Sequence, residues 1–368
     1  MSARSRTFEA IDASCFQTIQ RISVALLLML FSFPPGPRAQ DKPLMQISHD
    51  CEVFAISSQG KIVCASPRVK RVKKIVIQRA DVWVAEPNGK EKLIIDSEKF
   101  MPAVNPESYI VNTLSWSPDG SRIAMSITTE KPTPEEGSAS TTRSVALLED
   151  DGREIKIEGS KTRFLDDAAN AAWLPDNVNV VYLTGAGPYK IGRVSTVTGQ
   201  SSTLFEGHPF EAVVWDTKRN QAFAVGRNLT PTGRESIVQL DLLHETLTEV
   251  SRSDTYQGVL SLSPSGKKIA FFEDGDTIEV HDFENPSKPL RIRVGMGVFG
   301  WSRDERRVLL KRGPADKSGE LVWVGLDDGT FVSALHGLEY HAFEIAPDGE
   351  SIAVTEPGKE VLRVYPLQ

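Results

Sequence analysis

The sequence predicts an all-β fold: a seven-bladed β-propeller of four-stranded antiparallel blades, its ring closed by an N-terminal strand. One hairpin signature recurs along the chain at spacings of 39 to 60 residues, the period of a propeller blade. The 27 Gly and 22 Pro are spread over the whole length, which suits many short strands and turns better than long helices. The segment after each signature turn is almost continuously apolar, which implies that both of its faces are covered.

Ahead of the repeats lies an export signal. Arg21 precedes an apolar run from Ile22 to Phe33, which is followed by PPGPRAQD. A basic residue, a short apolar run and a break before a small residue describe a secretory signal peptide. Residues 1–39 are assigned to it, with cleavage near Ala39, and residues 40–368 to a single propeller domain. The apolar run is shorter than the ~20 residues that span a bilayer. The expected location is periplasmic or secreted, with no transmembrane segment after signal removal. The alternative is a membrane tether through an uncleaved N-terminal segment.

Residues 42–48, KPLMQIS, read as a strand without a partner in its own repeat. The last repeat holds three strands only. This segment is therefore expected to supply its fourth and to remove an open sheet edge that would invite aggregation. Cys51 and Cys64 follow, inside one predicted hairpin. In an oxidising compartment they are disulfide candidates; two small buried thiols are the other reading.

The clearest copy of the signature is LSWSPDGSRIAMSI, residues 114–127. Leu114 and Trp116 alternate with serines, as a half-buried strand requires. Ser117-Pro118-Asp119-Gly120 is a tight turn, in which Pro presets φ and Gly takes the left-handed position. Further copies start at Val53, Ala171, Val213, Leu260, Phe299 and Phe343. The residue before each turn serves as an anchor. The anchors are Ile56, Trp116, Trp173, Trp215, Leu262, Trp301 and Ile345, at successive gaps of 60, 57, 42, 47, 39 and 44. A second β pair follows each hairpin, as in residues 81–95, 145–157, 193–205, 237–250 and 321–335. In the second of these the outer strand is expected at residues 154–157, EIKI. The degenerate first copy leaves six or eight blades open.

The string Trp-Ser-Pro-Asp-Gly-Ser-Arg-Ile-Ala at 116–124, with Ser263-Pro264-Ser265-Gly266 and Ala346-Pro347-Asp348-Gly349, resembles the WD40-like (PD40) repeat of TolB-type propellers. The resemblance covers about residues 44–368. It implies a propeller used for protein interaction. The sequence departs from TolB in having no room for an N-terminal domain before the first blade. It departs from the prolyl-oligopeptidase-like peptidases, which share the repeat, because no hydrolase domain follows.

Catalytic motifs are not found. There is no G-x-S-x-G elbow and no Walker loop. His244-Glu245-Thr246-Leu247-Thr248 lacks the second His of a zinc motif and falls at a predicted turn. Gly295-Met296-Gly297-Val298-Phe299-Gly300 has the form of a dinucleotide fingerprint but leads into a strand, so no helix N-terminus awaits a phosphate. A net charge of −7 argues against nucleic acid as a partner, because phosphate binding needs concentrated Lys and Arg. Arg68, Lys70, Arg71, Lys73 and Lys74 form a basic run, read as a solvated edge, with an anionic partner or membrane surface as the functional alternative. Residues 132–142 read as a long polar loop suited to a contact arm.

The candidate binding residues lie just before each first strand, where connections gather around the channel of a propeller. They are His49, Asp50, Tyr109, Asp166, Asp167, His208, Glu211, Tyr256, Gln257, Tyr340 and His341. No catalytic residue is assigned and no cofactor is predicted. A channel-bound metal on His49, His208 and His341 is the alternative. The expected function is a monomeric, exported, TolB-like scaffold that binds a protein partner in the cell envelope without catalysis. The alternative is a metal-assisted propeller enzyme of the lyase or lactonase type, with a His/carboxylate site at the channel mouth.

Overall fold

The computed structural model describes residues 42–72, 75–100, 108–132, 139–158, 164–185, 188–227, 229, 235–253, 256–273, 277–285, 289–293, 298–312, 320–335, 340, 342–356 and 361–367. They form seven four-stranded antiparallel sheets in a ring. Blade 1 runs Val53–Ile56, Ile62–Val72, Ile75–Ala85, Glu91–Ile95. Blade 2 runs Ser108–Trp116, Arg122–Pro132, Ala139–Glu149, Leu165–Asp166, and blade 3 runs Ala168–Trp173, Asn179–Thr184, Lys190–Ser195, Ser201–Leu204. Blade 4 is Ala212–Asp216, Gln221–Arg227, Glu235–Asp241, Thr246–Ser253, and blade 5 is Tyr256–Leu262, Lys268–Glu273, Thr277–Asp282, Leu290–Arg293. Blade 6 is Val298–Trp301, Arg307–Arg312, Glu320–Gly325, Phe331–Ser333. First strands of neighbouring blades lie against one another, so they form the inner wall of the ring.

Blade 7 joins the two ends of the chain. Its first three strands are Ala342–Ile345, Ser351–Thr355 and Leu362–Pro366, and Met45–Ile47 is its outermost strand. Met45 lies opposite Val364, Gln46 opposite Arg363 and Ile47 opposite Leu362. Arg363 Nε donates to Gln46 Oε1 at 3.2 Å, and Ile47 is fully buried beside Leu362 and Cys51. Deleting residues 42–48 strips this edge and empties the Ile47 site. The expected fall in melting temperature is roughly 10 °C, read by calorimetry; an unchanged transition would refute the closure.

The turns explain the signature. In each, one residue sits at positive φ: Gly60, Gly120, Gly266 and Gly349, with Asn177, Asn220 and Glu305 in the other three blades. The serine before the turn is buried in blades 1, 2, 5 and 6, as Ser57, Ser117, Ser263 and Ser302. Its hydroxyl accepts backbone N–H groups that the turn would otherwise leave unpaired, as from Arg122 at 2.9 Å and Lys268 at 3.1 Å. Second strands are buried on both faces, including residues 123–127, 222–225, 269–272 and 308–310.

The anchors end their first strands or stand one residue short of the end. Three anchor indoles donate to the inner strand of the preceding blade: Trp116 to Ala55 O at 3.0 Å, Trp215 to Asn170 O at 2.8 Å, and Trp301 to Ser261 O at 3.2 Å. Trp173 differs. It is fully buried, its Nε1 has no partner among the described residues, and the Arg122 guanidinium lies 5.4 Å from its ring centroid.

Two features depart from the sequence expectation. The outer strand of blade 2 is Leu165–Asp166, paired with Ser144 and Val145, and not residues 154–157. Glu154 bridges Leu148 and the Ile155 N–H bonds Leu147 O at 2.8 Å, while Ile155 and Ile157 turn in against a core of blades 2 and 3. With those two side chains half-buried in that core, the segment pairs no further along the strand. The second and third strands of blades 1 and 2 are also 11 residues long, against six or seven in the second strands of blades 3 to 6. Their pairing continues out to Val72–Ile75 and Pro132–Ala139, so two adjacent blades raise long hairpins. These additions account for the two widest anchor gaps.

Candidate functional site

Several of the residues expected at the channel rim are held by their own neighbours. His49 stacks on Trp83, with ring centroids 3.8 Å apart, and its Nε2 lies 2.8 Å from Glu91 Oε2 on the outer strand of blade 1. Asp50 is exposed. Tyr109 is buried between blades 1 and 2, donates to Ala80 O at 2.6 Å, and has its phenol pushed up to about 12 by burial. Asp166 belongs to the outer strand of blade 2, and Asp167, at φ 51°, accepts from Thr184 Oγ1 and Gly185 N, each at 3.1 Å.

His208 is half-buried, and its Nδ1 has no hydrogen-bond partner among the described residues. Glu211 is exposed, with its backbone N–H on Val225 O at 2.7 Å. Tyr256 opens the first strand of blade 5 opposite Glu273, and Gln257 follows it in that strand. Tyr340 is buried edge-on to Phe343, with centroids 5.2 Å apart. Burial raises its phenol pKa. His341 lies outside the described residues, as do Lys73, Lys74 and residues 133–138. Among the described residues no three His, Cys, Asp or Glu side chains are grouped to hold a metal. Cys51 and Cys64 form a disulfide, with Cα atoms 5.4 Å apart.

The structure draws attention to the opposite end of the first strands, beside the tight turns. A cavity of about 300 Å³ lies against the inner strands of blades 5, 6 and 7. Leu262, Pro264, Trp301, Phe343 and Ile345 give it apolar walls, and Glu344 is the one ionisable residue in its lining. Glu344 Oε1 accepts the Ile56 N–H at 3.2 Å, across the seam between blades 7 and 1. Ser115 makes the analogous reach from blade 2 to Ala171 O in blade 3 at 2.8 Å. Burial pushes the Glu344 carboxyl up to about 8, and the single hydrogen bond from Ile56 offsets this only in part.

Sequence reasoning passed over Glu344, although a signal was present. The residues just before the seven anchors are Ala55, Ser115, Ala172, Val214, Ser261, Gly300 and Glu344. Six are small or apolar and one is an acid. Space is tight there: a Cβ on Gly300 would come within 2.2 Å of Ile345 Cδ1.

A second cluster of charge is buried between blades 4 and 5. Glu279 and His281 alternate with Ile278 and Val280, so the two polar side chains share one face of their strand. The imidazole of His281 bonds Glu279 Oε1, and Arg291 Nε donates to Glu279 Oε2 at 2.8 Å. Burial alone would raise the Glu279 carboxyl, but the bonds from His281 and Arg291 outweigh it and hold the group at about 2.

The fold and the ring define the chain as a seven-bladed propeller, and comparison with solved structures gives the same class. Similar folds are WD40-type seven-bladed propellers. One is a chain in the crystal structure of a mitotic checkpoint complex, with a TM-score of 0.58 and 13% identity over 91% of this chain and 97% of that one. Another is the β-propeller domain of Cps50 (Swd1) from Myceliophteria thermophila, with a TM-score of 0.56 and 15% identity over 87% of this chain and 97% of that one. No family model and no curated protein matches the sequence. Among the described residues no helix is long and apolar enough to cross a membrane.

Proposed function

We propose that the chain is an exported, TolB-like scaffold that holds a protein partner in the cell envelope and has no catalytic role of its own. The observation that carries this reading is the hairpin raised from blade 1. Beyond Ala65 its second strand has no pairing with the first strand, and the fourth strand reaches only Val82 to Ala85 of the third. The raised part is a two-stranded ribbon that exposes Arg68, Lys70 and Arg71 together with Val69 and Val76, which are 66% and 54% exposed. Arg68 and Lys70 are paired with Asp81 and Glu98, and on a chain of net charge −7 this basic and apolar ribbon suits an acidic protein surface that would compete for those cations. Blade 2 raises a similar hairpin beside it. The Cys51–Cys64 disulfide supports an oxidising compartment. One structural neighbour is itself part of a protein complex.

The test combines fractionation with crosslinking in intact cells. The mature chain should start near Gln40 and leave the cytoplasm. A photo-crosslinker at Val69 should capture one protein, and Lys70→Glu with Arg71→Glu should cut that yield about tenfold or more. A crosslinker at exposed Val197 on blade 3 is the control. A cytoplasmic chain, or yields indifferent to the two charge reversals, would remove the proposal.

A further inference from the structure

We infer that the cavity against the inner strands of blades 5 to 7 is a binding site for an alkylammonium group, with Glu344 as its anionic seat. The group is the terminal amine of a lysine side chain or of a free aliphatic amine. This site does not depend on the scaffold reading, since the ligand chemistry follows from the cavity alone.

Glu344 is a carboxyl without a counter-cation among the described residues. The buried carboxylates Asp81, Asp216, Glu279 and Glu356 each meet an arginine: Arg68, Arg219, Arg291 and Arg363. Glu344 meets none; the Ile56 N–H is its one hydrogen-bond donor among the described residues. The strands packed around it are Val53–Ile56, Val298–Trp301 and Ser351–Thr355, and none carries a charged residue. Its own strand, Ala342–Ile345, adds no other. In the turns nearby, Arg303 is already paired with Glu350. A carboxyl set in apolar walls without a cation gains most from a ligand that brings one.

The shape of the cavity fits the same ligand. Leu262, Pro264, Trp301, Phe343 and Ile345 offer apolar surface to an aliphatic stem, and about 300 Å³ holds a four-carbon chain with space for water. The Ile56 N–H already draws on Oε1, so a guanidinium fork would have to share that oxygen. A compact ammonium needs only the remaining oxygen. A metal ion would find a single carboxylate and no imidazole or thiolate in the lining.

Calorimetric titration of the full chain with n-butylamine and with Nα-acetyl-lysine methylamide tests the site. Both ligands stay protonated to about pH 9 or above, whereas Glu344 ionises near 8. Affinity should therefore rise about fifty-fold from pH 6 to pH 8. At pH 8, Glu344→Gln should weaken binding about tenfold or more, and n-butanol should show no pH dependence. Binding of the lysine derivative alone assigns the site to a protein side chain, and binding of butylamine alone assigns it to a free amine. A flat pH profile, or equal affinity in Glu344→Gln, overturns the proposal. The wild-type profile decides even where the variant folds poorly.

Discussion

Raising the pH from 5 to 9 is expected to lower the stability of this protein by several kcal/mol, and Glu344→Gln should abolish most of that loss. Folded Glu344 keeps its proton to about pH 8, while the same group in the unfolded chain releases it near 4.5. Between those values the folded state binds more protons, so stability falls as the pH rises. The contribution is fully present below 4.5 and gone above about 8, and its ceiling is about 5 kcal/mol. Gln keeps an oxygen for the Ile56 N–H but cannot ionise. Urea unfolding midpoints across this range, wild type against Glu344→Gln, measure the effect. Parallel pH profiles for the two proteins would show that Glu344 is not the responsible group.

The second large effect concerns Glu279. Its folded value of about 2 lies below 4.5, so its contribution is present above 4.5 and is lost as the pH falls toward 2. Arg291→Ala should cost about 3 kcal/mol at pH 7, because it leaves a buried carboxylate with His281 and Ser251 as its partners among the described residues. Glu279→Leu introduced into that variant should recover part of the loss, since it removes the stranded charge. Guanidinium unfolding of the two single variants and the double variant reads the coupling; strictly additive losses would contradict it. The two carboxylates pull in opposite directions. Glu344 weakens the fold above 4.5 and Glu279 weakens it below, so their combined contribution is greatest in mildly acid solution.

The blades were legible because each carries its own local chemistry. The Ser-Pro-Asp-Gly turn at 117–120 and the buried run after it depend on neighbours in sequence, and they recur wherever that pattern does. The unpaired strand at Met45–Ile47 was legible because the last repeat lacked a fourth strand. The site residues were less so. Tyr109 and Tyr256 belong to first strands that begin earlier than the signature suggests, and not to the connections before them. Once within a strand, Tyr109 takes its place by alternation, on the buried face with Val111. His49 is diverted by Trp83 and Glu91, partners more than 30 residues away that no local pattern announces. Glu344 is unusual only against the equivalent positions of the other copies, because its neighbours Phe343 and Ile345 are ordinary for a strand.

The pairing of Gln46 with Arg363 spans 317 positions. Chain-joining entropy grows only with the logarithm of length, so bridging that distance in place of ten residues adds roughly 3 kcal/mol. The larger consequence is one of order in time. The strand Met45–Ile47 finds its seat late, because that seat does not exist until Leu362–Pro366 has been synthesised. A product cut short anywhere before Leu362 leaves both this N-terminal strand and the sheet that should receive it bare. Synthesis of Leu362–Pro366 is thereby a condition for closing the ring.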